Sequence, residues 1–345
     1  MILLPIGWLY GKIADVRNRL YERGTFRSHD LGARTISIGN ITAGGTGKTP
    51  LVGLVAEMLA DSGERVCILT RGYGRENARQ RALVSDGSKV LVDARAGGDE
   101  PVELAQKLLK KQVVIVADAD RVSAAAWAKD EFGITAFVLD DGFQHRRAKR
   151  DLDIVCIDAT NPFGGEVMLP GGKLREPLDN LKRADAFVIT RMNLVESVEG
   201  LVVQLRDKNP DASVFGATFE VEEFTKLADF HRGRFTSDDD HDRQFISNAF
   251  AFCGLGNPES FLSQLATQHF AVTGLFPFAD HYRYRQSDIE LIEAEARSRN
   301  SRGLITTVKD AVKLQDLRFT LPCFVAELSV EINDRDRLRD LVLSA

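Results

Sequence analysis

Residues 35–52 read TISIGNITAGGTGKTPLV, from Thr35 to Val52, and the fold class follows from this stretch. A short β-branched run (Thr35, Ile36, Ile38) enters a loop that carries Gly39, Gly44, Gly45 and Gly47. Lys48 and Thr49 follow, and then a segment with helix character from Leu51 to Ala60. Strand, glycine-rich loop and helix in this order form the context of a phosphate-binding P-loop. Glycines let backbone N–H groups turn inward around phosphate oxygens, and the helix directs its positive end at the same anion. Lys48 is placed for the β- and γ-phosphates, and the Thr49 hydroxyl for Mg²⁺. The strict pattern begins with glycine, where this chain has Thr42. The plain alternative is a glycine-rich turn of an ordinary α/β protein, but GGTGKT is specific enough to favour nucleotide phosphate.

Downstream, apolar segments recur with helical stretches between most of them. Residues 65–70, 113–117, 134–139, 153–158 and 186–190 read as buried strands. With residues 35–38 they predict a mostly parallel sheet covered on both faces. The strand from Ile134 ends in Asp140-Asp141, the position of a Walker-B carboxylate beside a P-loop. Neighbours on a strand face opposite ways, so spacing leaves open which of the two points inward. Arg71-Gly72-Tyr73-Gly74-Arg75 ends another strand and suits either a phosphate grip or a solvated loop. Asp99, before the helix Val102–Lys111, reads first as a helix cap. After Thr190 the pattern changes to a second, smaller α/β unit, with strands expected at 214–219, 249–253, 303–308 and 322–332. Asp238-Asp239-Asp240-His241 reads as a solvated charged loop. The expected organisation is residues 1–30 as an N-terminal helix, 31–195 as the P-loop domain and 196–345 as the smaller domain.

Composition is that of a folded soluble protein, with 345 residues, 44% hydrophobic and 28% charged. A net charge of −5 gives no drive toward nucleic acid. Cys67, Cys156, Cys253 and Cys323 lie far apart, without metal-ligand spacing, as expected of small buried hydrophobes. Residues 1–34 differ: they carry six Lys/Arg against three Asp/Glu. Trp8, Leu9, Ile13, Val16, Leu20 and Tyr21 recur there at helical spacing with arginines largely between them. The apolar start is too short to span a bilayer. It suits either an amphipathic helix in the membrane interface or a helix packed on the protein's own core.

Taken together, GNITAGGTGKTP, TRGYGR, GGDEP, LDDGFQHR, LPGGKLREP, FADHYRY and TTVKDAVKL resemble the tetraacyldisaccharide 4′-kinases, in that family's order and along the whole chain. The resemblance implies transfer of the ATP γ-phosphate to the 4′-hydroxyl of tetraacyldisaccharide 1-phosphate, giving the 1,4′-bisphosphate (lipid IVA) of lipid A biosynthesis. It implies an enzyme on the cytoplasmic face of the inner membrane, which favours the interfacial reading of the first helix. A monomer and no nucleic-acid partner are expected.

The resemblance also implies site roles. Thr42, Ala43, Gly44, Gly45, Thr46, Gly47, Lys48 and Thr49 would form the ATP loop. Thr49, Asp140 and Glu176 would hold Mg²⁺, and Arg175 would stabilise the transferring phosphoryl group. Asp99 would be the general base, paired with His281 from the other domain so that closure assembles the site.

Two other classes are weighed on the residues. A regulatory GTPase would carry a guanine-reading Asn-Lys-x-Asp, where this chain has Thr190-Arg191-Met192-Asn193. A partitioning ATPase would carry a lysine at Ala43. A membrane scaffold without chemistry would not require Lys48, Asp99 and Asp140 together.

Overall fold

The computed structural model describes residues 3–233 and 240–345. The acidic run at 238–241 therefore lies largely outside the described residues. The strands are β1 (Arg34–Asn40), β2 (Val66–Thr70), β3 (Ala82–Asp86), β4 (Val114–Ala117), β5 (Ala136–Asp140), β6 (Leu152–Asp158) and β7 (Ala186–Thr190). They continue with β8 (Ser213–Lys226), β9 (Ala249–Cys253), β10 (Val272–Pro277), β11 (Gly303–Thr307) and β12 (Cys323–Ile332). The helices are α1 (Leu3–Glu22), α2 (Lys48–Asp61), α3 (Ala94–Gly97), α4 (Asp99–Leu108), α5 (Arg121–Phe132), α6 (Glu199–Lys208), α7 (Leu227–Phe230) and α8 (Asp240–Ile246). The last four are α9 (Pro258–Thr267), α10 (Gln286–Ser298), α11 (Val308–Ala311) and α12 (Arg335–Ser344).

One 12-stranded sheet runs in the order β10-β9-β11-β12-β8-β7-β6-β1-β5-β2-β4-β3. Its two blocks are parallel within themselves, save for β3 at one edge. They join at the antiparallel β8–β12 ladder. β8 makes the join because it is long. Its first residues pair with β7, up to Ile189 opposite Gly216, and Ala217 to Lys226 then pair with β12. The second block runs back against β8, with Thr307 of β11 level with Ala326, itself opposite Phe224. The carboxyl ends of both blocks therefore face a common cleft. Loops at the carboxyl ends of parallel strands are where open α/β sheets place ligands.

Buried strands such as VCILT (β2) and AFVLD (β5) are covered on both faces, which explains their unbroken apolar runs. Leu51, Val52, Val55 and Leu59 of α2 pack with Ile36, Ile38, Val138 and Ile154 on one face. Ala124, Ala125 and Ala128 of α5 cover Cys67, Leu69, Phe137 and Leu139 on the other. A burial-only cluster of Phe261, Leu265, Ala251, Ile305 and Phe324 closes the far end. All four cysteines are buried and unpaired, as expected.

Helix α1 is turned in an unusual sense. Its small and polar residues Gly7, Gly11, Ala14 and Asn18 face the protein, while Ile6, Trp8, Leu9, Tyr10, Ile13 and Val16 face outward. Gly7 lies so close to Met168 that a Cβ would come within 2.8 Å of its carbonyl oxygen. The alternative of a helix burying its large apolar face on the core does not describe this chain. Among the described residues no helix is long and apolar enough to cross a membrane.

Candidate active site

The P-loop leaves β1 at Asn40 and enters α2 at Lys48, with Gly47 in the left-handed region (φ 76°) at the helix start. A Cβ at Gly47 would also press to 2.7 Å from the Phe219 ring, so this position requires glycine on two counts. Side chains hold the loop in shape. The Asn40 amide donates to Thr46 Oγ1 at 2.9 Å, and the Thr190 hydroxyl donates to the Thr46 carbonyl at 2.9 Å. Gly44 and Gly45 have open space where a side chain would stand, as a cradle for a ligand needs. The long loop after β6 runs alongside it. The Ala43 N–H donates to the Lys173 carbonyl at 2.7 Å, and the Arg175 N–H donates to the Ile41 carbonyl at 2.8 Å.

A cavity of about 410 Å³ opens over this loop, lined among others by Lys48, Thr49, Asp140, Asp141, Arg175 and His281. Register places Asp140 there, because β5 pairs with β1 and Asp140 stands opposite Ile38. Asp140 and Asp141 then have different environments. Asp141, at φ 55°, ion-pairs Arg175 at 2.7 Å and Lys48 at 3.5 Å. Burial pushes its carboxyl up, but those two cations more than offset this and leave it lowered. Asp140 accepts from the Thr70 hydroxyl at 2.8 Å. Burial, with the negative charges of Glu100 and Asp141, pushes it up to about 6 despite Lys48. The corner beside the P-loop is thus short of positive charge at Asp140.

Asp99 and His281 meet across the cleft, with His281 Nδ1 at 2.9 Å from Asp99 Oδ2. Asp99 begins α4, and the cap position is Gly98, so Asp99 is not the cap. His281 is held at φ 59°, a strained conformation of the kind that concentrates at functional sites. Burial raises the Asp99 carboxyl, yet the His281 hydrogen bond and the charges of His281, Lys313 and Lys309 leave it lowered. The hydrogen bond to Asp99 in turn raises His281.

Glu176 is not in the cleft. Its neighbour Arg175 points to Asp141, whereas the fully buried Glu176 carboxylate accepts from Arg183 at 2.6 Å and from Asn18 at 2.7 Å. Arg17 stands 3.7 Å away. The expected metal role for Glu176 is therefore corrected: successive residues in an extended loop point opposite ways, and this one anchors α1. Truncation to Glu176→Ala should leave Arg183 buried and unpaired and cost about 3–5 kcal/mol. Chemical denaturation checks this, and the Mg²⁺ requirement of the remaining folded enzyme should be unchanged.

Several charged residues here carry no motif of their own. Arg121 is buried behind the cavity, within range of the Asp140 and Asp141 charges, and Arg191 pairs with Asp158 at the rim. Lys309 ion-pairs Asp280 at 2.9 Å and Glu100 at 3.1 Å. Lys309 and Lys313 lie four apart in TTVKDAVKL, the spacing that puts two side chains on one helical face, and that signal could have marked them.

A glycine-cradled phosphate loop, a Walker-type carboxylate and the histidine of a carboxylate–histidine pair, all lining one cleft, define a P-loop phosphotransferase. Residues 1–345 match the family described as Tetraacyldisaccharide-1-P 4′-kinase, and the chain belongs to that family. The tetraacyldisaccharide 4′-kinase of Desulfotalea psychrophila is 36% identical over 344 residues, covering 98% of this chain and 96% of its own. That of Chlorobium phaeobacteroides is 33% identical over 354 residues, covering 100% and 97%. The crystal structure of LpxK from Aquifex aeolicus in complex with ATP superposes with a TM-score of 0.76 at 30% identity, covering 99% of this chain and 97% of that one. The chain is an ATP-dependent kinase of the lipid A pathway.

Proposed function

We propose that ATP binds with its phosphates on Thr42–Thr49 and that Asp99 receives the proton of the acceptor 4′-hydroxyl. The observation that carries this is the 2.9 Å Asp99–His281 contact, whose histidine lines the cleft with Lys48 and Arg175 while Asp99 lines the cavity that adjoins it at His281. A sugar hydroxyl is a poor nucleophile at neutral pH, and a positioned carboxylate relieves it of its proton in the transition state. A lowered carboxyl is a weak base, but phosphoryl transfer passes through a loose transition state in which the proton leaves late. His281 orients the carboxylate. Lys48 and Arg175 face the phosphoryl oxygens, where fixed charge stabilises the transition state most.

The residues also fit a magnesium ion. Asp140 is a buried hard oxygen donor crowded by the negative charges of Glu100 and Asp141, and Thr49 stands in the first turn of α2 in the same cleft. Among the described residues no three metal-binding side chains converge, and Mg²⁺ is ordinarily held by one or two carboxylates with phosphate oxygens and water. Asp140, not the cation-paired Asp141, is the ligand in this reading. When bound, the ion would neutralise charge on the phosphates.

The acceptor is an acylated disaccharide, and α1 is read as the part that meets its membrane. Trp8 is 65% exposed and Ile13 60% exposed on the outward face. Burying such side chains in the interface is worth about 1.5–3 kcal/mol each. Trp8→Asp with Ile13→Asp should move the enzyme from anionic vesicles to the supernatant in a sedimentation assay. Unchanged partitioning would contradict the interfacial role. We further read residues 31–195 and 196–345 as two domains acting on one substrate in the cleft, on the inner-membrane surface facing the cytoplasm, as a monomer.

A further inference from the structure

Asp310 has no exposed surface, and it ties three segments of the second block together. Its carboxylate accepts from the Thr307 hydroxyl at 2.7 Å, the Tyr284 hydroxyl at 2.9 Å and the Gly254 N–H at 3.0 Å. These donors come from the ends of β11 and β9 and from the loop that carries His281. A fourth partner is Lys313, whose Nζ stands 2.9 Å from Asp310 Oδ1. Lys313 is nearly buried, with 9% of its side chain exposed, and its ammonium lies over the Tyr284 ring at 5.4 Å. From there it reaches across the cleft to 3.6 Å from Asp99 Oδ2. The ammonium thus stands between two buried carboxylates and makes no directed hydrogen bond to either.

This placement has a chemical consequence. An ammonium taken out of water is costly unless paired, and Asp310 supplies the pairing whether or not Asp99 is charged. Lys313 can therefore act on Asp99 as a fixed positive charge that does not depend on Asp99 to stay folded in. His281 approaches the same carboxylate oxygen through Nδ1 at 2.9 Å, and its Nε2 lies 3.8 Å from Asp280. Lys309 completes the facing row through Glu100 and Asp280. On α4, the acidic side chains near Asp99 are Glu100 and Glu103, and the loop after β2 brings the Gly74 backbone close, with Glu76 and Arg283 lining the same cavity. Asp99 is thus flanked by cations from the second block and by carboxylates from its own helix.

We propose that Lys313, anchored by Asp310, is a positioning residue for Asp99: its fixed charge holds the carboxylate in place toward the acceptor. The role rests on Asp99 being the base. Lys313 touches neither the nucleotide loop nor the reacting atoms in this reading, so its effect is on kcat and not on ATP affinity. Asp99 is lowered from 3.8 and Asp140 stands at about 6, so Asp140 sets the acid limb of the rate profile and the part of Lys313 is read at neutral pH.

The test compares full-length wild type, Lys313→Met, Lys313→Arg, Asp99→Asn and the Lys313→Met, Asp99→Asn double variant in mixed micelles at neutral pH, with folding followed by thermal melting. Lys313→Met is expected to lower kcat by about tenfold, the loss that follows from a misplaced base, with KM for ATP unchanged. Lys313→Arg should restore most of the rate, because it restores the charge. In the Asp99→Asn background the lysine substitution should cost nothing further, because it acts through that carboxylate. Lys313→Gln serves as a second charge-free variant should the methionine not fold. A wild-type kcat in the folded charge-free variant would overturn the proposal, and so would loss of ATP affinity or an undiminished further loss in the Asp99→Asn background. Asp99→Asn separates the two levels. If it is inactive while Lys313→Met keeps the wild-type rate, only the Lys313 role fails. If it keeps the wild-type rate, the base assignment fails and takes this role with it.

Discussion

Asp99→Asn is expected to lower kcat by about 10²–10⁴-fold while leaving ATP bound as in wild type. The substitution keeps size and leaves a group that His281 can still touch, but it removes the acceptor for the hydroxyl proton. Lys313 and His281 would keep their places, since each has a second partner in Asp310 or Asp280. A nucleotide-binding titration and a turnover assay check the two halves of this statement separately. The pH dependence has a defined sign. Asp99 is lowered from 3.8, so its pairing stabilises the fold above that value and is lost as pH falls through its folded value. His281 is raised from 6.5, so its contribution is complete below that value and is lost as pH rises through the raised one. The pair therefore ties the two blocks most firmly between about pH 4 and 6.5. His281→Gln should remove that pH-dependent part of the stability, which unfolding measured across this pH range checks.

Lys48→Ala is expected to lower kcat by about 10²–10³-fold, the usual cost of one preorganised charge at the reacting centre. A second effect accompanies it here. Lys48 stands 3.5 Å from Asp141 and also offsets the negative charge on Asp140. Without it, the Asp140 carboxyl should rise further above its value of about 6, so the variant should need more Mg²⁺ and a higher pH than wild type. Titrating Mg²⁺ at two pH values checks this. Equal Mg²⁺ requirements in the two proteins would remove Asp140 from the metal role.

Much of this arrangement was legible in the chain. The central strands are covered on both faces, so β1, β2, β4, β5, β6 and β7 stand out as unbroken apolar runs. β3 and β10 were not expected, and both lie at the edges of the sheet. An edge strand needs less apolar character, and β10 contains Gly274 and Pro277, which mark it against a central position. The length of β8 was also missed, because FEVEEFTK alternates polar and apolar where the ladder to β12 leaves one side exposed. That ladder makes one sheet of two units, and a pairing between segments a hundred residues apart has no local signature.

The site divides in the same way. The phosphate loop carries a contiguous motif, and Asp140 follows from a strand ending in an acid. Asp99 and His281 are 182 residues apart, so only the family resemblance joined them. Glu176 was misplaced because the resemblance gives a position and not a direction, and only the packing of Asn18 and Arg183 shows which way the carboxylate turns. Asp310 and Lys313 are ordinary charged residues until the loops after β9 and β10 and the start of α4 bring Gly254, Tyr284 and Asp99 around them.

The most direct test uses ATP labelled in the γ-phosphate, Mg²⁺ and tetraacyldisaccharide 1-phosphate in mixed micelles, with wild type beside Asp99→Asn. The expected result is labelled 1,4′-bisphosphate from wild type, formed only when the acceptor is present, and a near-complete loss in the variant with nucleotide still bound. Labelled lipid accumulating in Asp99→Asn at the wild-type rate would contradict the assignment of the cleft pair as the site of proton transfer.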